Sequence, residues 1–172
     1  MLGDGRPLHV LHLPGHSPGH IGVYDEANRA VIITDAVLWK GLLDMEGHLI
    51  SPPPYFVIDP YLQAIDRVLA LDFDHVYTAH YDPISGGAAR TWLHESKAHV
   101  QRTHEAVAGI LKNADRPMTL PEMHAAANAQ VGPYTVFAIE FAGPVHAHLE
   151  QLVMTGQAAR TQVDGFPAWV AQ

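Results

Sequence analysis

Three residues of metal-ligand type, His16, Asp35 and His80, each close a short apolar stretch of this 172-residue chain. His16 follows Leu8, Val10, Leu11 and Leu13 within the turn Pro14-Gly15-His16-Ser17-Pro18-Gly19-His20. Asp35 ends Ala30-Val31-Ile32-Ile33-Thr34, and His80 ends His75-Val76-Tyr77-Thr78-Ala79. Stretches of this composition read as strands. Three strand ends would then deliver one imidazole, one carboxylate and a second imidazole. Such a set, with open positions left over, suits Zn²⁺, and also Fe²⁺ or Mn²⁺. Its chemistry is water activation and carbonyl polarisation, as needed to hydrolyse an ester, thioester or lactam. Cysteine is absent, which excludes disulfides, thiolate nucleophiles and zinc–sulfur sites and leaves His, Asp and Glu as ligands.

The elements that must position these residues follow from pattern. Pro and Gly set a tight turn around His16. An alternating strand leaves it through Ile21 and Val23, and strands are expected over 8–13, 20–24, 30–34 and 75–79. Asp59-Pro60 reads as an N-cap followed by Pro at the first helical position. Leu62, Ile65, Val68 and Leu69 then repeat at helical spacing to about Leu71. Between them, Val37 to Tyr55 carries Gly41, Gly47 and Pro52-Pro53-Pro54, and reads as a long surface loop or flap. A turn is expected at Gly3-Asp4-Gly5.

Gly86-Gly87 is the expected domain boundary, giving domains 1–87 and 88–172. Ala88 to about Asn113 reads as one long helix. Thr119-Leu120-Pro121-Glu122 has the form of a capping box opening a short helix to Ala129. A helix over 142–154 and a hairpin turning at Asp164-Gly165 complete a winged-helix-like order. Phe137, Phe141 and Trp169 are expected in the core of this second domain.

Composition bounds the partners. Apolar residues make up 48% and charged residues 16%, with a net charge of −8. Residues 88–172 hold six Lys/Arg against seven Asp/Glu, and 142–154 has neither Lys nor Arg. Nucleic-acid affinity rests on basic groups meeting phosphates, so a nucleic-acid partner is excluded. No apolar run reaches membrane-spanning length and no signal-peptide pattern opens the chain, so a cytoplasmic location without membrane contact is expected.

Pro14-Gly15-His16-Ser17-Pro18-Gly19-His20, then Ile32-Ile33-Thr34-Asp35, then Tyr77-Thr78-Ala79-His80-Tyr81-Asp82-Pro83-Ile84 resemble, in order and spacing, the metallo-β-lactamase-fold hydrolases. The match covers residues 1–85. The tail resembles the accessory domain of the β-lactamase-like protein 2 branch. The resemblance implies an α/β (α+β) fold, half of an αββα sandwich followed by a small winged-helix-like domain. It implies that His16 binds a first zinc, Asp35 bridges two zincs and His80 binds the second. Gly15, Gly19 and His20 would shape the turn, and Tyr81 the strand end. Thr34, Ala79 and Tyr81 stand where the family commonly has Gly.

The family's His-x-His-x-Asp-His motif has no counterpart here. His9-Val10-Leu11-His12 and His94 to His99 have the wrong spacing and place. The chain thus reads as a C-terminal half. Hydrolysis of a small-molecule substrate of the ester, thioester, lactone or amide type is expected of the complete protein and impaired in this one. A single ion shifted toward Asp35 could reach all three side chains, so one ion in place of two is a second arrangement the triad admits. The rival reading is a non-catalytic interaction module that keeps the fold.

The remaining histidines (His94, His99, His104, His124, His146 and His148) are expected at exposed helix positions. Half a sandwich would leave Ile21, Val23, Val31, Ile33 and their neighbours as an apolar face in water, which soluble monomers rarely tolerate. A two-fold homodimer is therefore expected, with closure by the accessory domain as the alternative.

Overall fold

In the computed structural model, which describes Gly3 and residues 5–172, strands β1 (His9–His12), β2 (Ile21–Asp25) and β3 (Ala30–Thr34) come first. A short pair follows, β4 (Leu42–Leu43) and β5 (Leu49–Ser51). Next come α1 (Ile58–Leu69), β6 (His75–Thr78), β7 (Ile84–Ser85) and the long α2 (Gly86–Lys112). The chain ends with β8 (Met118–Thr119), α3 (Leu120–Val131), α4 (Ala142–Met154) and the hairpin β9 (Ala158–Val163) and β10 (Phe166–Ala171). This is the mixed α+β class expected. The turn expected at Gly3-Asp4-Gly5 includes Asp4, which lies outside the described residues. Among the described residues no helix is long and apolar enough to cross a membrane.

Two compact units form, and they are not consecutive in sequence. One is the chain up to Trp39 with Asp59–Ala98; the other is Lys40–Ile58 with His99–Gln172.

The first unit holds a five-stranded sheet of order β1-β2-β3-β6-β7. Within it, β3 and β6 run parallel, while the other neighbours are antiparallel. Alternation along the strands sorts the side chains. Tyr24, Val31, Ile33 and Val76 are buried, as are Tyr61, Ala64, Ile65 and Val68 at helical spacing on α1. The opposite face carries Val10, Val23, Ile32 and Tyr77, directly opposite one another in register. Val10, Ile32 and Tyr77 are 69%, 44% and 39% exposed. The bare apolar face expected from sequence therefore exists, but Val31 and Ile33 belong to the other, buried side. Strand alternation alone does not say which of its two faces the helices cover.

Two arginines close this unit's loops. Arg29 donates to Asp74 at 2.7 Å and pairs with Asp72, whose backbone carbonyl accepts from Tyr24 Oη at 2.7 Å. Arg90 of α2 donates to the carbonyls of Leu69 and Leu71 and stacks 4.5 Å from the Phe73 ring. It thereby satisfies carbonyls that the end of α1 leaves open. That helix starts at Ile58, so Asp59 lies in its first turn rather than capping it.

The second unit is built on Val107, Leu111, Met123, Tyr134, Phe141, Leu149, Leu152 and Trp169. Phe141 and Trp169 are core as expected, whereas Phe137 is 47% exposed. Its backbone N–H donates to Ile50 O at 2.9 Å, so its main chain is fixed while the ring faces water. From Lys40 onward, the segment read as a flap is a folded part of this unit. β4 and β5 pair, Ser51 Oγ donates to Glu140 at 3.0 Å, and Ser51, Pro52, Pro53 and Tyr55 are buried. Proline is barred from helices and central strands, but not from a buried extended segment. At the start of α3, Thr119 N and Oγ1 both donate to Glu122 at 2.8 Å, and Arg116 holds the same carboxylate. We expect Glu122→Ala to lower the thermal midpoint of unfolding, because it opens both the capping bond and the Arg116 pair; circular dichroism checks this.

Candidate metal centre

The His16 turn is closed by Leu13 N donating to His20 O at 2.8 Å and by His12 Nε2 donating to Pro18 O at 2.7 Å. Gly15 sits at φ 135°, a backbone conformation that only glycine adopts readily. A Cβ there would lie 2.6 Å from Tyr61 Cα. His20 is held by the neighbouring strand end: its Nε2 bonds Thr34 Oγ1 at 2.8 Å.

Thr34 itself has φ 47°. That is the left-handed region, which favours glycine, and here a side-chain partner holds a threonine in it. The β3–β6 register slips between Ile32 and Thr34. Such a bulge turns a strand end and re-aims the residue after it. The two strand ends are tied by Ala79 N donating to Thr34 O at 3.3 Å, and Tyr81 N donates to Thr78 Oγ1 at 2.9 Å.

The result is a close pair. His80 Nε2 lies 3.0 Å from Asp35 Oδ1, with the side chains 46% and 34% exposed. Asp35 Oδ1 is shielded from solvent, yet no aligned hydrogen bond satisfies it. Two donors bound at about 2.0–2.2 Å to one tetrahedral ion stand roughly 3.3 Å apart, so this pair fits a shared divalent ion. His16 packs edge-on against His20, with ring centroids 5.4 Å apart, and does not join the pair within coordination reach of one ion. Among the described residues, the one group of three whose ligand atoms all lie within 4.8 Å of one another is Asp44, Glu46 and His48. A single ion shared by His16, Asp35 and His80 is thus not the arrangement found.

The Asp44 group is a hairpin turn held by its own bonds. Asp44 Oδ1 accepts from Glu46 N at 3.0 Å and His48 N at 2.8 Å. Those donors, His48 first, lower the Asp44 pKa. The alternating Asp-x-Glu-x-His spacing is the sequence signal for it.

Sequence reasoning also missed a buried polar network in the second unit. His99 and His148 are 2% and 0% exposed, not on the surface as expected. Tyr134 Oη donates to Lys40 O at 3.0 Å and so accepts a hydrogen bond from His99 Nε2–H at 2.9 Å. His148 Nε2 bonds Tyr55 Oη at 2.7 Å and its Nδ1 faces His104 Nδ1 at 3.3 Å. Helical periodicity marks an inward position, but not that a tyrosine will wait there to pair an imidazole.

Two hollows matter. One of about 650 Å³ in the first unit is lined by Trp39, Tyr81, Asp82, Trp92 and Glu95 among others, next in sequence to His80. A larger one of about 750 Å³ lies in the second unit against Leu120, Phe166 and Trp169. Its charged side chains Glu150 and Arg160 are paired with each other, and His146 on its wall faces the same Glu150 at 3.8 Å.

No family model matches the chain. It is 31% identical over 90 residues to the probable metallo-hydrolase YflN of Bacillus subtilis, covering 48% of this chain and 34% of that protein. It is 36% identical over 70 residues to the human acyl-coenzyme A thioesterase MBLAC2, covering 41% and 22%. The metallo-beta-lactamase family protein TTHA1429 from Thermus thermophilus superposes with a TM-score of 0.71 at 27% identity, over 98% of this chain and 50% of that one. The match thus spans about a third or less of these curated relatives and half of the solved structure. The chain has the metallo-β-lactamase fold, and about half of its sequence is similar to that of a probable metallo-hydrolase.

Proposed function

We propose that this chain carries the Asp35–His80 part of a dinuclear hydrolase centre, with His16 supplying a ligand to the first ion and zinc as the metal. The observation that carries this reading is the shielded, unsatisfied Asp35 Oδ1 placed 3.0 Å from His80 Nε2. A divalent ion bound there supplies carbonyl polarisation and a lowered pKa for water. The chain's own residues do the positioning. The bulge before Thr34 turns Asp35 toward His80, the His20–Thr34 bond holds that bulge, and the Tyr81–Thr78 bond fixes the backbone after His80. The substrate class is an ester, thioester, lactone or amide. Activity in this chain alone is impaired, because no His-x-His-x-Asp-His motif completes the set.

Helices α2, α3 and α4 followed by the β9–β10 hairpin support a winged-helix-like reading of residues 88–172, with a half-sandwich in the first unit. The apolar row Val10, Val23, Ile32 and Tyr77 favours a second reading, a homodimeric interaction module in which two copies stack this face. Sedimentation of the chain as a monomer at micromolar concentration ends that second reading.

Metal analysis of protein purified without chelator tests the first. We expect bound Zn²⁺ that falls at least about tenfold in His80→Ala and in Asp35→Ala, as loss of a ligand requires. Unchanged metal content in both variants overturns it.

A further inference from the structure

We propose that the hollow beside His80 is a subsite for a quaternary ammonium group, the cationic end of a substrate whose scissile carbonyl lies at the Asp35–His80 centre. The proposal rests on the hydrolase reading for the second half of that statement only.

Three aromatic rings wall the hollow. The Trp39 and Tyr81 rings lie 6.5 Å apart at 86°, and those of Tyr81 and Trp92 lie 5.7 Å apart at 75°. Successive near-perpendicular rings make a corner, which suits a compact, roughly spherical cation better than a flat ring that would need parallel faces. Ring quadrupoles attract organic cations, and cages of this composition are how such groups are commonly held. Charge points the same way. Asp82 and Glu95 line the hollow, and no Lys, Arg or His does. Glu95 Oε2 accepts from Trp39 Nε1 at 2.6 Å, which fixes that wall and brings a carboxylate against its edge.

A further observation concerns the rest of the ligand. Trp92 is 8% exposed, and its buried indole N–H has no acceptor. A buried donor left unpaired is costly, and an ester or ether oxygen near the cation would satisfy it. Tyr81 and Asp82 directly follow His80, so a short ester of an amino alcohol would reach from the cage to the metal pair.

Titration of the metal-free chain with choline and with dimethylbutanol, its neutral carbon isostere, tests this by calorimetry. We expect saturable choline binding at least about tenfold tighter than that of the isostere. Trp39→Leu should lose about tenfold, and Glu95→Gln should weaken choline alone. Equal binding of choline and isostere overturns the proposal, as does undiminished choline binding in folded Trp39→Leu. If Trp39→Leu does not fold, the isostere pair and Glu95→Gln decide the matter. Choline binding without metal binding would end the hydrolase reading and leave the cation site standing; metal binding without choline binding would do the reverse.

Discussion

Gly15→Ala lowers the thermal midpoint of this protein by roughly 6–12 °C, while Gly19→Ala leaves it within about 2 °C. Both glycines flank His16 in the Pro-Gly turn and look equivalent in sequence. Gly15 has φ 135°, and an added Cβ would sit 2.6 Å from both Cα and Cβ of Tyr61. Tyr61 is 1% exposed and cannot retreat. Backbone strain and overpacking of this kind cost about 3 kcal/mol together. At Gly19 nothing lies within 4 Å of the added atom, so the change falls within the roughly ±0.5 kcal/mol common at open surface positions. Circular-dichroism melts of the two variants check the contrast. Equal melting would mean that the turn does not press on α1 as described. Because the turn also sets His16, Gly15→Ala should weaken metal binding as well.

Stability falls as pH is lowered from about 6.5 toward 4. Burial first, then Arg102 and Lys40, depresses the His99 pKa from 6.5 to about 4. Burial first, then His104 and His99, takes His148 to about 3. Tyr134 and Tyr55 complete the surroundings of the two rings as neutral hydrogen-bond partners. Both imidazoles are therefore neutral in the folded state at pH 7. On unfolding they regain the ordinary value, so below about pH 6.5 the unfolded chain binds more protons and stability drops. The contribution is intact above that value and is lost as pH passes down through the folded values. At about pH 5 the shift in His99 alone removes about 2 kcal/mol. The carboxylates with lowered pKa, Glu122 at about 2 among them, lose their pairing further down the scale, so the window between about 6.5 and 5 reports the histidines. Denaturant unfolding at about pH 7 and about pH 5 checks this. His99→Gln, whose amide nitrogen can still donate to Tyr134, should flatten the dependence. Equal stability at the two pH values would mean that these rings are not held neutral.

The histidines also show where sequence reading stops. His148 lies in a helix whose span, 142–154, is evident from pattern alone, yet its burial depends on Tyr55, 93 residues away. The same holds for Pro52 and Pro53. Their residue type forbids regular structure, but only the bonds from Ser51 to Glu140 and from Val136 to Ile50 make the segment interior. The metal pair divides likewise. Ligand type and strand-end placement of Asp35 and His80 were legible; their 3.0 Å approach comes from a register slip after Ile32.

By itself the sequence determined the α+β class, most element positions, the fold family of residues 1–85 and the three ligand-type strand ends. Those features depend on side-chain period, turn chemistry and backbone preference, which act over a few residues. Tertiary structure alone decided which sheet face is bare, how Asp35 meets His80 without His16, and how Trp39, Tyr81 and Trp92 come to share one hollow. Each of these depends on strand register and helix packing between segments distant in the chain, where burying apolar area and pairing polar groups outweigh local preference.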